Sequence, residues 1–161
     1  MGGSKSTRRY TVEEYYDLEE KEVYKSEFHA GKIDAMAGGS PAHSLIVANL
    51  LRELGNRLKG KIGTPYDGNL RIQVPATGLV TYPDASVFCK DLEFDAKDKR
   101  QQTAVNPTLV FEVLSKSTES YDRGKKLKTT ASWNRSKPMF SSLKRILTSS
   151  CTNCMGTDFG F

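Results

Sequence analysis

Two acids in this chain stand where chemistry is the simplest reason for a carboxylate. Asp84 follows Pro83 at the start of the strand-like run DASVFC, and Glu112 lies inside the apolar run TLVFEVL. A carboxylate in a strand made for a core is costly, so Glu112 is expected either to have a partner or to do chemistry. If the two strands are neighbours, both acids meet at one end of a sheet. Hard oxygen ligands grouped in this way suit Mg²⁺ or Mn²⁺, which keep several waters and bind through one or two carboxylates plus substrate phosphates. An ion held there polarises a phosphodiester and lowers the pKa of an attacking water.

Each acid also has a plain reading. Pro-Asp is common in turns, and a strand-end Glu commonly pairs with Lys or Arg. The pair gains weight from a third acid, Glu27 in SEFHAGKI, and from Lys125 and Lys126 in YDRGKKL. A positioned ammonium beside a scissile phosphate stabilises developing charge or orients the nucleophilic water. His43 is one of only two histidines, and a lone histidine is more often structural than catalytic. Ser115 and Ser117 have no His and Asp at a recognisable triad spacing, which argues against a serine hydrolase. Neither a P-loop nor a GxGxxG run occurs. Cys151 and Cys154 form a CxxC with no second pair and no nearby His, so a zinc site lacks ligands. Cys89 reads as a small buried residue.

Several elements must position these groups. TVEEYYDLEE carries a capping-box pattern, Thr11 with Glu14, and predicts a short acidic helix. VYKSEFHAGKIDAMA predicts two strands around Ala30-Gly31. Pro41 opens a long helix to about Leu58, with Leu45, Ala48, Leu51, Leu54 and Leu58 as its expected apolar stripe. NLRIQVPATG, LVTYPDASVFC and TLVFEVLS then read as successive strands packed on that helix. The charged segment DLEFDAKDKRQQ between two of them is expected to be an exposed loop, and a further helix is expected from about Glu119. This order predicts an α/β fold, a central mixed sheet flanked by helices.

At 161 residues, with 37% hydrophobic and 27% charged residues, the chain can build one core without metal or disulfide staples. No apolar run approaches a membrane span, and MGGSKSTRRY has no signal-peptide h-region, so the cytoplasm is the expected compartment. Of the net charge of +5, only +2 belongs to residues 1–128, which is weak evidence for an acidic partner.

Residues 129–161 read differently. They hold 11 Ser or Thr and a single acid, Asp158, with no sustained period of 2 or 3.6. Disordered tails are common, yet they seldom scatter Trp133, Phe140, Ile146, Phe159 and Phe161 without pattern. Shifted by one base, codons consistent with these residues permit a helix end followed by an apolar strand. The tail is therefore expected to be translated out of frame. The resulting division is a flexible terminus over 1–9, a domain over 10–128 and an anomalous tail over 129–161.

Four segments together, TVEEYYDLE, EFHAGKIDAMAGGSPAHSLIVANLLRELGNRLKG, LRIQVPATGLVTYPDASVFC and NPTLVFEVLSKSTESYDRGKKL, resemble the Uma-two family. That family lies in the PD-(D/E)xK, restriction-endonuclease-like superfamily, and the resemblance covers about residues 10–128. It implies a restriction-endonuclease-like α/β core and Mg²⁺-dependent cleavage of DNA. Asp84 and Glu112 match the family's metal-binding acids and Glu27 the acid of its Glu-aromatic-x-x-Gly pattern. Lys126 matches the lysine of the Asp-Arg-Gly-x-Lys segment, framed by Tyr121, Asp122 and Arg123. The chain departs from the superfamily triplet in having Leu114 two residues after Glu112, so the lysine role passes to Lys126. The rival readings are an inactive binding module on the same fold and a non-functional product of a damaged gene. A homodimer is expected of a nuclease that cuts both strands.

Overall fold

The computed structural model describes residues 8–113 together with the backbone of Leu143–Leu147. The first helix, α1 (Val12–Glu19), begins where the sequence signals it. Thr11 Oγ1 accepts from the Glu14 N–H, and the Glu14 carboxylate accepts from the Thr11 N–H, closing the capping box. Strands β1 (Ser26–His29) and β2 (Lys32–Ala35) form the expected hairpin. Its turn residues, Ala30 and Gly31, both have positive φ, the backbone that matches the twist of paired strands.

Helix α2 (Pro41–Leu58) is capped by Ser40, whose hydroxyl accepts from the His43 N–H, with proline in its first turn. Its buried line differs from the expected stripe. Leu50, Leu54 and Leu58 are buried, and continuing that line upward through half-buried Val47 leads to half-buried His43. Leu45 is 64% exposed and Ala48 is also exposed. Residues 43, 47, 50, 54 and 58 share one face at helical spacing, and Leu45 falls off it.

The strands continue as β3 (Thr64–Asp67), β4 (Arg71–Val74), β5 (Leu79–Thr81), β6 (Ala85–Phe88), β7 (Thr103–Ala104), β8 (Leu109–Val113) and β9 (Leu143–Leu147). They divide into two sheets, ordered β2-β1-β5-β4-β7 and β3-β6-β8-β9. The β4–β7 pair is parallel and the other pairs are antiparallel, so the α/β class with mixed pairing is present.

LVTYPDASVFC reads as one strand but forms two. The chain leaves the first sheet after Thr81, crosses through Tyr82-Pro83-Asp84 and enters the second sheet at Ala85. Pro83 has no N–H to give a ladder and holds its predecessor extended, which suits a crossing point.

Three apolar clusters hold these parts together. Tyr15 and Tyr16 of α1 pack on Phe28 and Val80, on one face of the first sheet. Ile72 and Ala104, from the same sheet, meet Phe88 and Val110 of the second. Leu50, Leu54 and Leu58 of α2 cover the remaining face of the second sheet, against Ala85, Val87, Leu109, Phe111 and Cys89. Cys89 is buried as expected.

The segment DLEFDAKDKRQQ corrects the expectation of an exposed loop at one point. Asp98 is only 4% exposed, because it partners Arg71, buried at the start of β4. In the stretch read as an anomalous tail, LKRIL lies antiparallel along β8. The helix expected from Glu119 and the CxxC at 151–154 lie outside the described residues, as does the remainder of 129–161. Among the described residues no helix is long and apolar enough to cross a membrane.

Candidate functional site

The ladder between β6 and β8 fixes the relation of the two acids. Ala85 is the register partner of Phe111, so Asp84, one residue before Ala85, and Glu112, one residue after Phe111, stand side by side at the same sheet end. Glu112 also has Lys144 as its register partner across β9. Glu112 is half-buried while Leu109, Val110, Phe111 and Val113 around it are buried.

Asp84 is held at both oxygens. His43 Nε2 lies 2.9 Å from Oδ1, and the Val113 N–H donates to Oδ2 at 2.6 Å. A carboxylate oxygen only accepts, so Nε2 carries the proton in this contact. Each oxygen keeps a second lone pair. The His43 and Asp84 side chains are 22% and 20% exposed, enough for solvent to reach them and too little for them to move freely.

Backbone on both sides packs closely around this pair. A Cβ on Gly39 would lie 2.7 Å from Cδ2 of His43, so the ring occupies space that only glycine leaves open. A Cβ on Gly68 would lie 3.2 Å from the Pro83 carbonyl and 3.8 Å from the Asp84 Cα. The Gly68 turn is tied down by Lys25, whose Nζ donates to the Gly68 carbonyl at 2.9 Å and to Asn69 Oδ1 at 2.6 Å. The same ammonium lies 5.1 Å from the centre of the Tyr82 ring. Burial pushes the Tyr82 hydroxyl up to about 12, so it stays protonated at neutral pH.

Glu27 is placed on the other sheet. Its Oε1 accepts from the Thr81 hydroxyl at 2.5 Å, at the end of β5 just before the crossing to Asp84. Among the described residues no three His, Cys, Asp or Glu side chains converge as a group that could hold a metal. Asp84 and Glu112 are therefore brought together in register, and Glu27 is not gathered with them into a three-ligand cluster. Lys125 and Lys126 lie outside the described residues, with Tyr121, Asp122 and Arg123.

The residue that sequence reasoning undervalued is His43. Its signal was the helical line to Val47, Leu50, Leu54 and Leu58, which aims the third residue of α2 at the sheet end. The first turn of α2 has no acidic residue, so the positive end of the helix dipole there is left to nearby anions such as Asp84. Two residues beyond Asp84, the buried Ser86 hydroxyl has no hydrogen-bond partner among the described residues.

A second polar cluster serves the fold. Arg71 donates to Thr103 at 2.7 Å and to Asp98 at 3.0 Å, and its guanidinium lies 4.9 Å from the centre of the Tyr16 ring. Burial pushes the Asp98 carboxyl up, yet hydrogen bonds from Thr103, the Arg100 N–H, Arg71 and the Gln102 N–H together bring it below the ordinary value.

Comparison with known proteins shows what the chain as a whole is similar to. A profile of the Uma2 family, described as "Putative restriction endonuclease", matches residues 12–129. The chain is 42% identical over 124 residues to slr1290, an uncharacterized protein of Synechocystis sp., covering 76% of this chain and 63% of that one. It is 31% identical over 121 residues to sll1609, another uncharacterized protein of that organism, covering 75% of this chain and 67% of that one. The chain thus spans a little under two thirds of the first relative. A crystal structure from Anabaena variabilis, described as "a putative nuclease belonging to DUF820", aligns at 20% identity with a TM-score of 0.49, covering 66% of this chain and 64% of that one.

Proposed function

From the premise that this chain belongs to the Uma2 family, we propose that it is a metal-dependent endonuclease hydrolysing phosphodiester bonds of DNA. The observation that carries the reading is the register that sets Asp84 beside Glu112 at one end of the second sheet. Two hard-oxygen side chains there fit Mg²⁺ or Mn²⁺, which complete their shell with water and substrate phosphate rather than an all-protein cage. Such an ion would supply charge stabilisation at the phosphoryl oxygens and a more acidic water.

The chain's own residues divide the remaining work. Asp84, fixed by His43 and the Val113 N–H, offers its remaining lone pairs in one orientation. Glu112 supplies the second carboxylate from the neighbouring strand. Glu27, bonded to Thr81 on the first sheet, is assigned as a third acid that would join the site only on a shift of its side chain toward Asp84. Lys126 is assigned the charge-stabilising ammonium. Lys126→Ala is expected to abolish metal-dependent cleavage; near-normal activity in that variant would move the role to Lys125 or remove it. The working assembly is proposed as a homodimer in the cytoplasm.

Two observations favour a second reading, a DNA-binding module without catalysis. The described residues contain no three-ligand group, and Leu114 stands where the superfamily triplet carries lysine. A plasmid-nicking assay in Mg²⁺ separates the two. Nicking by the wild type that is lost in Asp84→Asn supports the nuclease. DNA binding without nicking supports the module, and nicking that persists in Asp84→Asn points to a contaminant.

A further inference from the structure

We infer that His43 is a positioning residue for Asp84, setting the direction in which this carboxylate presents its free lone pairs. The inference rests on the reading of Asp84 as a metal ligand. Four observations carry it. The Nε2–Oδ1 contact is 2.9 Å between two side chains that are each about one-fifth exposed. His43 lies in the first turn of an 18-residue helix whose N-terminus is capped by Ser40, so its backbone is fixed. Gly39 leaves room for the ring, since a Cβ there would lie 2.7 Å from its Cδ2. Val113 holds the other oxygen from β8, the strand that also carries Glu112.

A carboxylate with one restrained oxygen can still rotate about its Cβ–Cγ bond. Restraint at both oxygens, from α2 on one side and β8 on the other, fixes the plane of the group. Partners of this kind behind a metal ligand are worth about 10–100-fold in metal affinity or activity. The imidazole therefore acts through Asp84, holding the plane of its carboxylate together with the Val113 N–H.

The test measures Mn²⁺ affinity calorimetrically on the full chain for the wild type, His43→Leu, His43→Gln and Asp84→Asn, with a thermal melt of each. Glutamine carries an amide donor near the position of Nε2, and leucine fills the space without a donor. His43→Leu is expected to weaken Mn²⁺ binding by about tenfold or more, while His43→Gln stays within about threefold of the wild type and Asp84→Asn binds no Mn²⁺. Equal affinity in His43→Leu and the wild type overturns the inference, as does an equal loss in His43→Gln and His43→Leu. A wild type that binds no Mn²⁺ overturns the metal reading itself and the positioning role with it. Wild-type binding left intact by His43→Leu overturns the positioning role alone.

Discussion

Nε2 of His43 lies 2.9 Å from Oδ1 of Asp84, joining the first turn of α2 to the point where the chain passes from one sheet to the other. These residues are 41 apart in sequence, and neither predicts the other locally. The contact links the helix that covers the second sheet to the carboxylate at that sheet's end. Changes in either backbone should therefore be felt at the site.

Gly39→Ala tests that link without touching a polar group. The added methyl would meet the His43 ring at 2.7 Å, so the ring must leave its present position, in which Nε2 bonds Asp84. Mn²⁺ affinity is expected to fall about as far as in His43→Leu, roughly tenfold, with little change in melting temperature. An alanine variant with wild-type affinity would show that the ring has room to move.

Leu54→Ala and Leu45→Ala distinguish the buried line of α2 from the stripe expected from sequence. Leu54 is fully buried against the second sheet, so its truncation should cost about 2–5 kcal/mol in urea unfolding. Leu45 is mostly exposed, and its truncation should stay within about 0.5 kcal/mol. Similar costs at both sites would place Leu45 in the core.

Arg71→Ala removes one partner of a buried ion pair and leaves Asp98 without its guanidinium. Breaking such a pair costs about 3–5 kcal/mol, read as a lower urea midpoint with unchanged slope. A loss under about 1 kcal/mol, the range of an exposed pair, would mean that Asp98 is solvated.

Asp98 also shapes stability at low pH. Its carboxyl titrates below the ordinary 3.8 in the folded chain, so the unfolded chain takes up this proton first as pH falls. The stabilisation is present above about pH 4 and disappears as pH drops through the folded value. Asp98→Asn should therefore unfold with a shallower dependence on pH below about 4 than the wild type. An unchanged acid limb would assign that dependence to other carboxylates.

What could be read from the sequence was local. The capping box at Thr11, the turn at Ala30-Gly31, the start of α2 at Pro41 and the strand around Glu112 all depend on neighbours within a few residues, and all four are present. The rest depended on distant partners. Thr64–Asp67 and Thr103–Ala104 are short, polar or proline-containing, and they are strands because β6 and β4 supply the ladders. Asp98 looked solvated within a charged run until Arg71, 27 residues away, was placed beside it.

The candidate site divides the same way. Asp84 and Glu112 were legible as acids in unusual positions, and their adjacency required the β6–β8 register. Pro83 marked the crossing between sheets, although its segment read as one continuous strand. His43 is hidden in the sequence because the leucine spacing starts a stripe at Leu45, whereas the line that faces the sheet runs through Val47 to His43.

The most direct measurement is a crystal structure of the wild-type chain soaked in Mn²⁺, with anomalous scattering used to locate the ion. The expected result is one Mn²⁺ about 2 Å from an oxygen of both Asp84 and Glu112, with His43 still bonded to Asp84 Oδ1. An ion bound elsewhere, or none in this place while the same preparation cuts DNA in Mn²⁺, would contradict the assignment of these two carboxylates.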